Sequence, residues 1–169
     1  KAADHYDRGL VLYEEGNYAG AVDEFVASYC TLAHPNSFYN IAQSYERLLD
    51  YERAVSYFER YLSEAGEQAQ NFKRAQLRAD VLRSLPARIR VATVPAGAEI
   101  TVENEAGIIA RGHANESDPL LVQRGDYTLR IEMPGYLPLE TTLSPRIGQP
   151  YSYYFDLQPE RSEIEIVAT

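Results

Sequence analysis

The chain has 169 residues, 45% of them hydrophobic and 24% charged, with a formal net charge of −9, the composition of a folded protein and not of a disordered one. Residues 1–85 carry 9 basic and 13 acidic side chains and residues 86–169 carry 7 and 12, so each half is acidic. Neither offers the Lys and Arg excess that phosphate neutralisation requires, which excludes nucleic acid as an expected partner, and no apolar run approaches the ~18–20 residues that cross a bilayer.

The length exceeds one small domain and fits two of about 85 residues. The hydrophobic period divides it at the same place: before Pro86 apolar residues recur at three and four, and after it at two. The expected fold class is therefore α+β in two segregated domains, an all-α domain at 1–85 and an antiparallel β-sandwich at 86–169. Helices are predicted over residues 3–15, 18–32, 37–49, 51–64 and 67–84. Gly16 and Gly66 act as helix stops, His34-Pro35-Asn36 as a turn, and Pro86 ends the last helix.

A 33-residue echo runs through the helical half: Gly9, Tyr18, Ala21 and Phe25 are matched by Ala42, Tyr51, Ala54 and Phe58. Equal offsets of small on small and aromatic on aromatic indicate one helical hairpin laid down twice. Small residues midway along the first helix and early in the second let antiparallel helices cross closely, and Leu at Ala21 or Ala54 would overpack that crossing by about 1–3 kcal/mol. An ordinary helical bundle with accidental self-similarity is the bland alternative.

Over residues 2–65 these positions resemble the tetratricopeptide repeat, with Gly16-Asn17-Tyr18 as its turn and Leu49-Asp50-Tyr51 as the second copy without the glycine. The usual first-helix Trp is replaced by His5 and Phe38, and the closing proline appears only as Pro35, slightly displaced. The resemblance implies a concave groove faced by Tyr6, Leu10, Tyr13 and Glu14 from the first copy and by Tyr39, Asn40, Gln43, Glu46 and Arg47 from the second. Tyrosine suits such a groove because it buries a large area with few rotors and keeps a polar tip. Packing of the tyrosines between hairpins or against the β half is the alternative. Of the Lys and Asn positions with which some repeats grip a terminal carboxylate, only Asn40 fits.

Residues 67–84 read as a capping helix, with Phe72, Ala75, Leu77, Ala79, Val81, Leu82 and Leu85 as its packing face and Lys73, Arg74, Arg78 and Arg83 as its wet one. Cys30 is the only cysteine, so no intrachain disulfide forms, and its helical position predicts a small buried hydrophobe.

After Arg88 the strands are short. Tyr127, Leu129, Ile131 and Met133 alternate with Thr128, Arg130 and Glu132; Leu137, Leu139 and Leu143 repeat the pattern, as do Tyr153, Phe155 and Leu157. Turns are expected at Pro95-Ala96-Gly97, Arg124-Gly125-Asp126, Pro134-Gly135 and Ile147-Gly148, a spacing that favours a small sandwich. The tripeptide at Arg124 matches an integrin ligand, but a turn with Gly at positive φ explains it without a receptor.

The run from Ile89 to Ile100, with Pro95-Ala96-Gly97-Ala98 at its turn, resembles the opening of a PEGA domain, a module of bacterial envelope proteins. Pro119-Leu120-Leu121-Val122, Gly125-Asp126-Tyr127 and Pro134-Gly135-Tyr136 follow in the family's order, so the resemblance covers residues 88–158. Ala96 replaces the Glu of the family's name, and Asn104-Glu105-Ala106-Gly107 replaces an Asp-Gly hairpin. Residues 163–169 rhyme with 88–93, as an edge strand or as the start of another copy, with the edge strand favoured.

No catalytic constellation accompanies this frame. His5, His34 and His113 lie without a nucleophile motif beside them, no Gly-rich phosphate loop precedes a helix, and no metal-ligand spacing occurs; Glu116 and Asp118 are two loop carboxylates. The expectation is no enzyme, no cofactor and no metal. The combined resemblances imply an extracytoplasmic scaffold of the bacterial periplasm or cell envelope that binds a protein or peptide partner through its groove. A structural or surface-binding module contacting wall polymer or polysaccharide is the first alternative, and a regulatory fragment of a larger signalling protein the second. The chain begins at Lys1 without methionine, which a removed signal peptide or a shortened chain would each explain; a membrane anchor outside this segment is compatible with either.

Overall fold

A computed structural model describes residues 1–160, in two compact units that divide between Leu85 and Pro86. The first holds α1 (Ala2–Glu14), α2 (Tyr18–Thr31), α3 (Asn36–Arg47), α4 (Tyr51–Ala65) and α5 (Phe72–Arg83). Each packs on the next in chain order, the arrangement of a helical repeat region.

The repeat is visible in the backbone itself. At the end of α1, Gly16 N–H donates to the Tyr13 carbonyl at 3.1 Å and Asn17 N–H to the Leu12 carbonyl at 2.8 Å; at the end of α3, Leu49 donates to Glu46 at 3.1 Å and Asp50 to Tyr45 at 2.9 Å. This pair of bonds is a Schellman stop, which satisfies the orphan carbonyls of a helix end and needs one left-handed residue. Asn17 and Asp50 then start α2 and α4, their side chains accepting from the N–H of Gly20 and Arg53, each at 3.1 Å.

Packing follows residue size. A Cβ added at Gly9 would stand 2.6 Å from the Phe25 ring, while Ala21, Ala42 and Ala54 are fully buried at their crossings. Tyr6 meets Phe25 edge-on with centroids 5.6 Å apart, and Tyr39 meets Phe58 in the same way at 5.7 Å. Phe25, Phe38 and Phe58 are buried and fill the space between helices.

Three expectations for this half are corrected. Helix α5 starts at Phe72 and not at residue 67, because Ala69 N–H bonds the Gly66 carbonyl and Phe72 N–H the Ala69 carbonyl, two successive turns that delay the helix. Its buried face is Ala75, Ala79 and Leu82, and Leu77 and Val81 lie outside it at 66% and 41% exposure. Cys30 is exposed: α2 buries Ala21, Val22, Phe25 and Ser28, and two residues beyond Ser28 turns the side chain about 200° away.

The second unit comprises β1 (Ala87–Val94), β2 (Glu99–Asn104), β3 (Gly107–His113), β4 (Leu120–Val122), β5 (Tyr127–Glu132), β6 (Leu139–Leu143) and β7 (Pro150–Asp156). They form a three-stranded sheet in the order β4-β1-β7 and a four-stranded sheet in the order β3-β2-β5-β6. Alternation sends Ile89 and Val91 of β1, Ile100 and Val102 of β2, and Leu129 and Ile131 of β5 into one core. Among the described residues all pairings are antiparallel except one: β7 runs parallel to β1, with Ile89 beside Tyr151 and Val91 beside Tyr153. The expected wholly antiparallel sandwich is corrected here, since β1 and β7 are separated in the chain by five other strands and no hairpin imposes the antiparallel direction on them.

The hairpin between β2 and β3 closes without an Asp-Gly pair. Asn104 Oδ1 accepts the Ala106 N–H at 2.9 Å and Gly107 takes φ 112°, an Asx turn doing the same work. Gly125, expected at positive φ, is not among the left-handed residues; its Cβ would sit 3.1 Å from the Tyr127 hydroxyl, so space for that ring is what the position demands. Leu137 is exposed and precedes β6. The rhyme at 163–169 lies outside the described residues.

Candidate functional site

The helical unit contains a cleft of about 270 Å³ bounded by α1, α3 and α5, with Phe58 of α4 at its floor. Five of the nine groove residues expected from the sequence line it: Tyr13, Tyr39, Gln43, Glu46 and Arg47. Tyr39 is only 6% exposed and packs on Phe58 and Tyr61, so its ring belongs to the core and supports the cleft from beneath. The remaining four, Tyr6, Leu10, Glu14 and Asn40, do not line it. Asn40 Nδ2 donates to the Tyr6 hydroxyl at 2.8 Å, which pins α3 to α1, and Leu10 and Glu14 are exposed.

Polar groups converge on the cleft from separate elements. Arg47 Nε donates to the Tyr13 hydroxyl at 3.2 Å, and this bond, first among its causes, raises the pKa of the guanidinium above its already high ordinary value. From α5, Arg78 bonds Glu46, which likewise raises its pKa. Both cations keep their charge at any physiological pH. Arg74, Leu77 and Val81 complete the α5 wall, and with Arg78 they lie at i, i+3, i+4 and i+7, one face of a helix.

The α5 wall was missed as part of the site, although one signal in the sequence points to it. The 33-residue step from Gly9 to Ala42 continues to Ala75, and that from Tyr6 to Tyr39 continues to Phe72. Ala75 is fully buried as Ala42 is. The fifth helix therefore keeps the register of α1 and α3 and lines the cleft beside them.

Elsewhere the candidate residues are held in local contacts. His5 Nδ1 lies 2.6 Å from Glu24, His34 Nδ1 accepts the Asn36 N–H at 3.2 Å, and His113 stands 3.5 Å from Glu116. Among the described residues no group of three or more His, Cys, Asp or Glu could hold a metal ion. A shallow depression of about 830 Å³ at one end of the four-stranded sheet is lined by Glu103, Asn104, Asp126, Thr128, Thr142 and Ser144. There the Ser144 hydroxyl donates to Asp126 at 2.6 Å.

No helix among the described residues is long and apolar enough to cross a membrane. No curated protein matches the chain. The family model of the PEGA domain matches residues 87–161, the stretch that contains the seven strands of the described residues, and so the resemblance drawn from the turn at Pro95-Ala96-Gly97 is confirmed for the β half.

Proposed function

We propose that the chain is a non-enzymatic protein–protein scaffold or adaptor of the bacterial cell envelope, in which helical hairpins of the tetratricopeptide kind hold a partner polypeptide in the cleft between α1, α3 and α5. The observation that carries this reading is the convergence of Tyr13, Gln43 and Arg47 with the exposed aliphatic residues Leu77 and Val81 around one concavity. A phenol, an amide and a guanidinium offer orientation, and the two aliphatic side chains offer an apolar contact, the combination that interface anchors use. The PEGA match supports an extracytoplasmic setting.

The test is a pull-down from a bacterial envelope extract, with the full chain as bait, compared with a Tyr13→Ala, Gln43→Ala, Arg47→Ala triple variant. Tyr39 is left intact because truncating a buried ring costs about 3–5 kcal/mol and would unfold the bait. The proposal expects a specific polypeptide to be retained by the parent and lost by the variant.

A second reading has its own observation. The sheet-end depression presents hydroxyls of Thr128, Thr142 and Ser144 beside the carboxylates of Glu103 and Asp126, groups that suit hydrogen bonding to a wall polysaccharide. Co-sedimentation with purified cell-wall sacculi that is unchanged in the triple variant favours this reading over the first.

A further inference from the structure

We infer that the partner segment is acidic and carries an aliphatic side chain, an inference that rests on the groove reading above. The charge inside the cleft runs against the charge of the molecule around it. Its lining includes Arg47, Arg74 and Arg78 but a single carboxylate, Glu46, giving a local excess of two positive charges in a chain whose net charge is −9. Glu46 is occupied by Arg78. Arg47 bonds a neutral phenol, and neither Arg47 nor Arg74 has a carboxylate within ion-pair distance among the described residues.

Outside the cleft, most exposed arginines of this unit have a carboxylate partner. Arg53 pairs with Asp50, Arg8 approaches Glu24, and Arg83 reaches both Glu59 and Asp80. Among the described residues three lack a carboxylate: Arg60 lies over the Phe38 ring, 4.0 Å from its centroid, and Arg47 and Arg74 both line the cleft. Opposite charge in a partner completes them, steers the encounter and rejects basic competitors. Leu77 and Val81, four residues apart on α5 and exposed, form an apolar ridge beside the cations, and burying it favours an aliphatic side chain on the incoming segment. A cleft of about 270 Å³ accommodates one or two such side chains and not a folded domain, so the occupant is a short peptide segment.

The experiment selects a phage-displayed random dodecapeptide library on the immobilised full chain. A synthetic version of the best selected peptide is then titrated by fluorescence anisotropy. The expected result is enrichment of Asp and Glu beside Leu, Ile or Val. Replacing the peptide's acids by Asn and Gln weakens binding, higher salt weakens it further, and Arg74→Ala and Arg47→Ala each cost about three- to fivefold, as exposed ion pairs do. Circular dichroism of each variant separates lost contact from lost fold. If the selected peptides bind in a way that Tyr13→Ala and Gln43→Ala abolish, yet are neutral or basic, or bind equally after the Asn and Gln exchange, the charge inference is overturned and the groove reading stands. If nothing is selected, or binding is indifferent to all four substitutions, both fall.

Discussion

Leu49 holds the same left-handed backbone as Gly16, thirty-three residues before it: φ is 60° at the leucine and 81° at the glycine. Both residues close a helix through the same pair of backbone bonds. Glycine takes that conformation without cost, whereas an L-residue with a Cβ pays about 1–2 kcal/mol. The leucine side chain is 61% exposed, so packing returns little of this. Leu49→Gly relieves the strain and gives back about 0.4–1 kcal/mol through the freer unfolded chain. A net stabilisation of about 0.5–1 kcal/mol is expected, read as a higher urea midpoint at unchanged m-value. A lower midpoint would show that the leucine's contacts outweigh its backbone.

Gly9 poses the opposite case. On helix propensity alone Gly9→Ala would gain about 1 kcal/mol. The new Cβ, however, meets Phe25 Cε1 at 2.6 Å, and the Phe25 ring is fully buried. Overpacking costs about 1–3 kcal/mol and prevails, so the variant melts lower than the parent. Adding Phe25→Leu to Gly9→Ala makes room at the clash, and a double-mutant cycle should give a favourable coupling between the two sites.

Cys30 projects from α2 into solvent. In the native protein a maleimide should label one thiol per chain without denaturant. Cys30→Ser should shift stability by no more than about 0.5 kcal/mol, the range of surface changes away from special features. Labelling that needs denaturant would contradict the exposed placement.

Stability should fall at alkaline pH. Burial raises the pKa of the Tyr61 hydroxyl, and burial followed by its neighbour Tyr151 raises that of Tyr153, both from the ordinary value of about 10. A raised folded-state value means the native protein keeps its proton where the unfolded chain has lost it. This contribution is fully present below pH 10 and declines as pH climbs through the native pKa. Thermal midpoints measured from pH 8 to above pH 10 should fall at the upper end, and Tyr61→Phe or Tyr153→Phe should each flatten the fall.

Legibility differed between the two units and had the same cause in each. The hairpins could be read because Gly9, Ala21, Ala42 and Ala54 are size constraints that recur at a fixed offset, and the strands because Tyr127, Leu129 and Ile131 alternate with polar residues. Gly125 was misread because a glycine between strands has two explanations, a left-handed turn or room for a neighbour, and only the position of the Tyr127 ring distinguishes them. Leu77 and Val81 were misread because apolar character does not say which side of a helix is covered.

The order of elements, the division at Pro86, the helix stops and the PEGA turn were determined by the sequence itself, since local backbone preference and hydrophobic period act over a few residues. Tertiary structure decided the direction of β7 against β1, the exposure of Cys30, and the meeting of Arg47, Arg74 and Arg78 around one cleft. Those depend on contacts between residues far apart in the chain, and only close packing of whole elements selects among the arrangements that the local pattern allows.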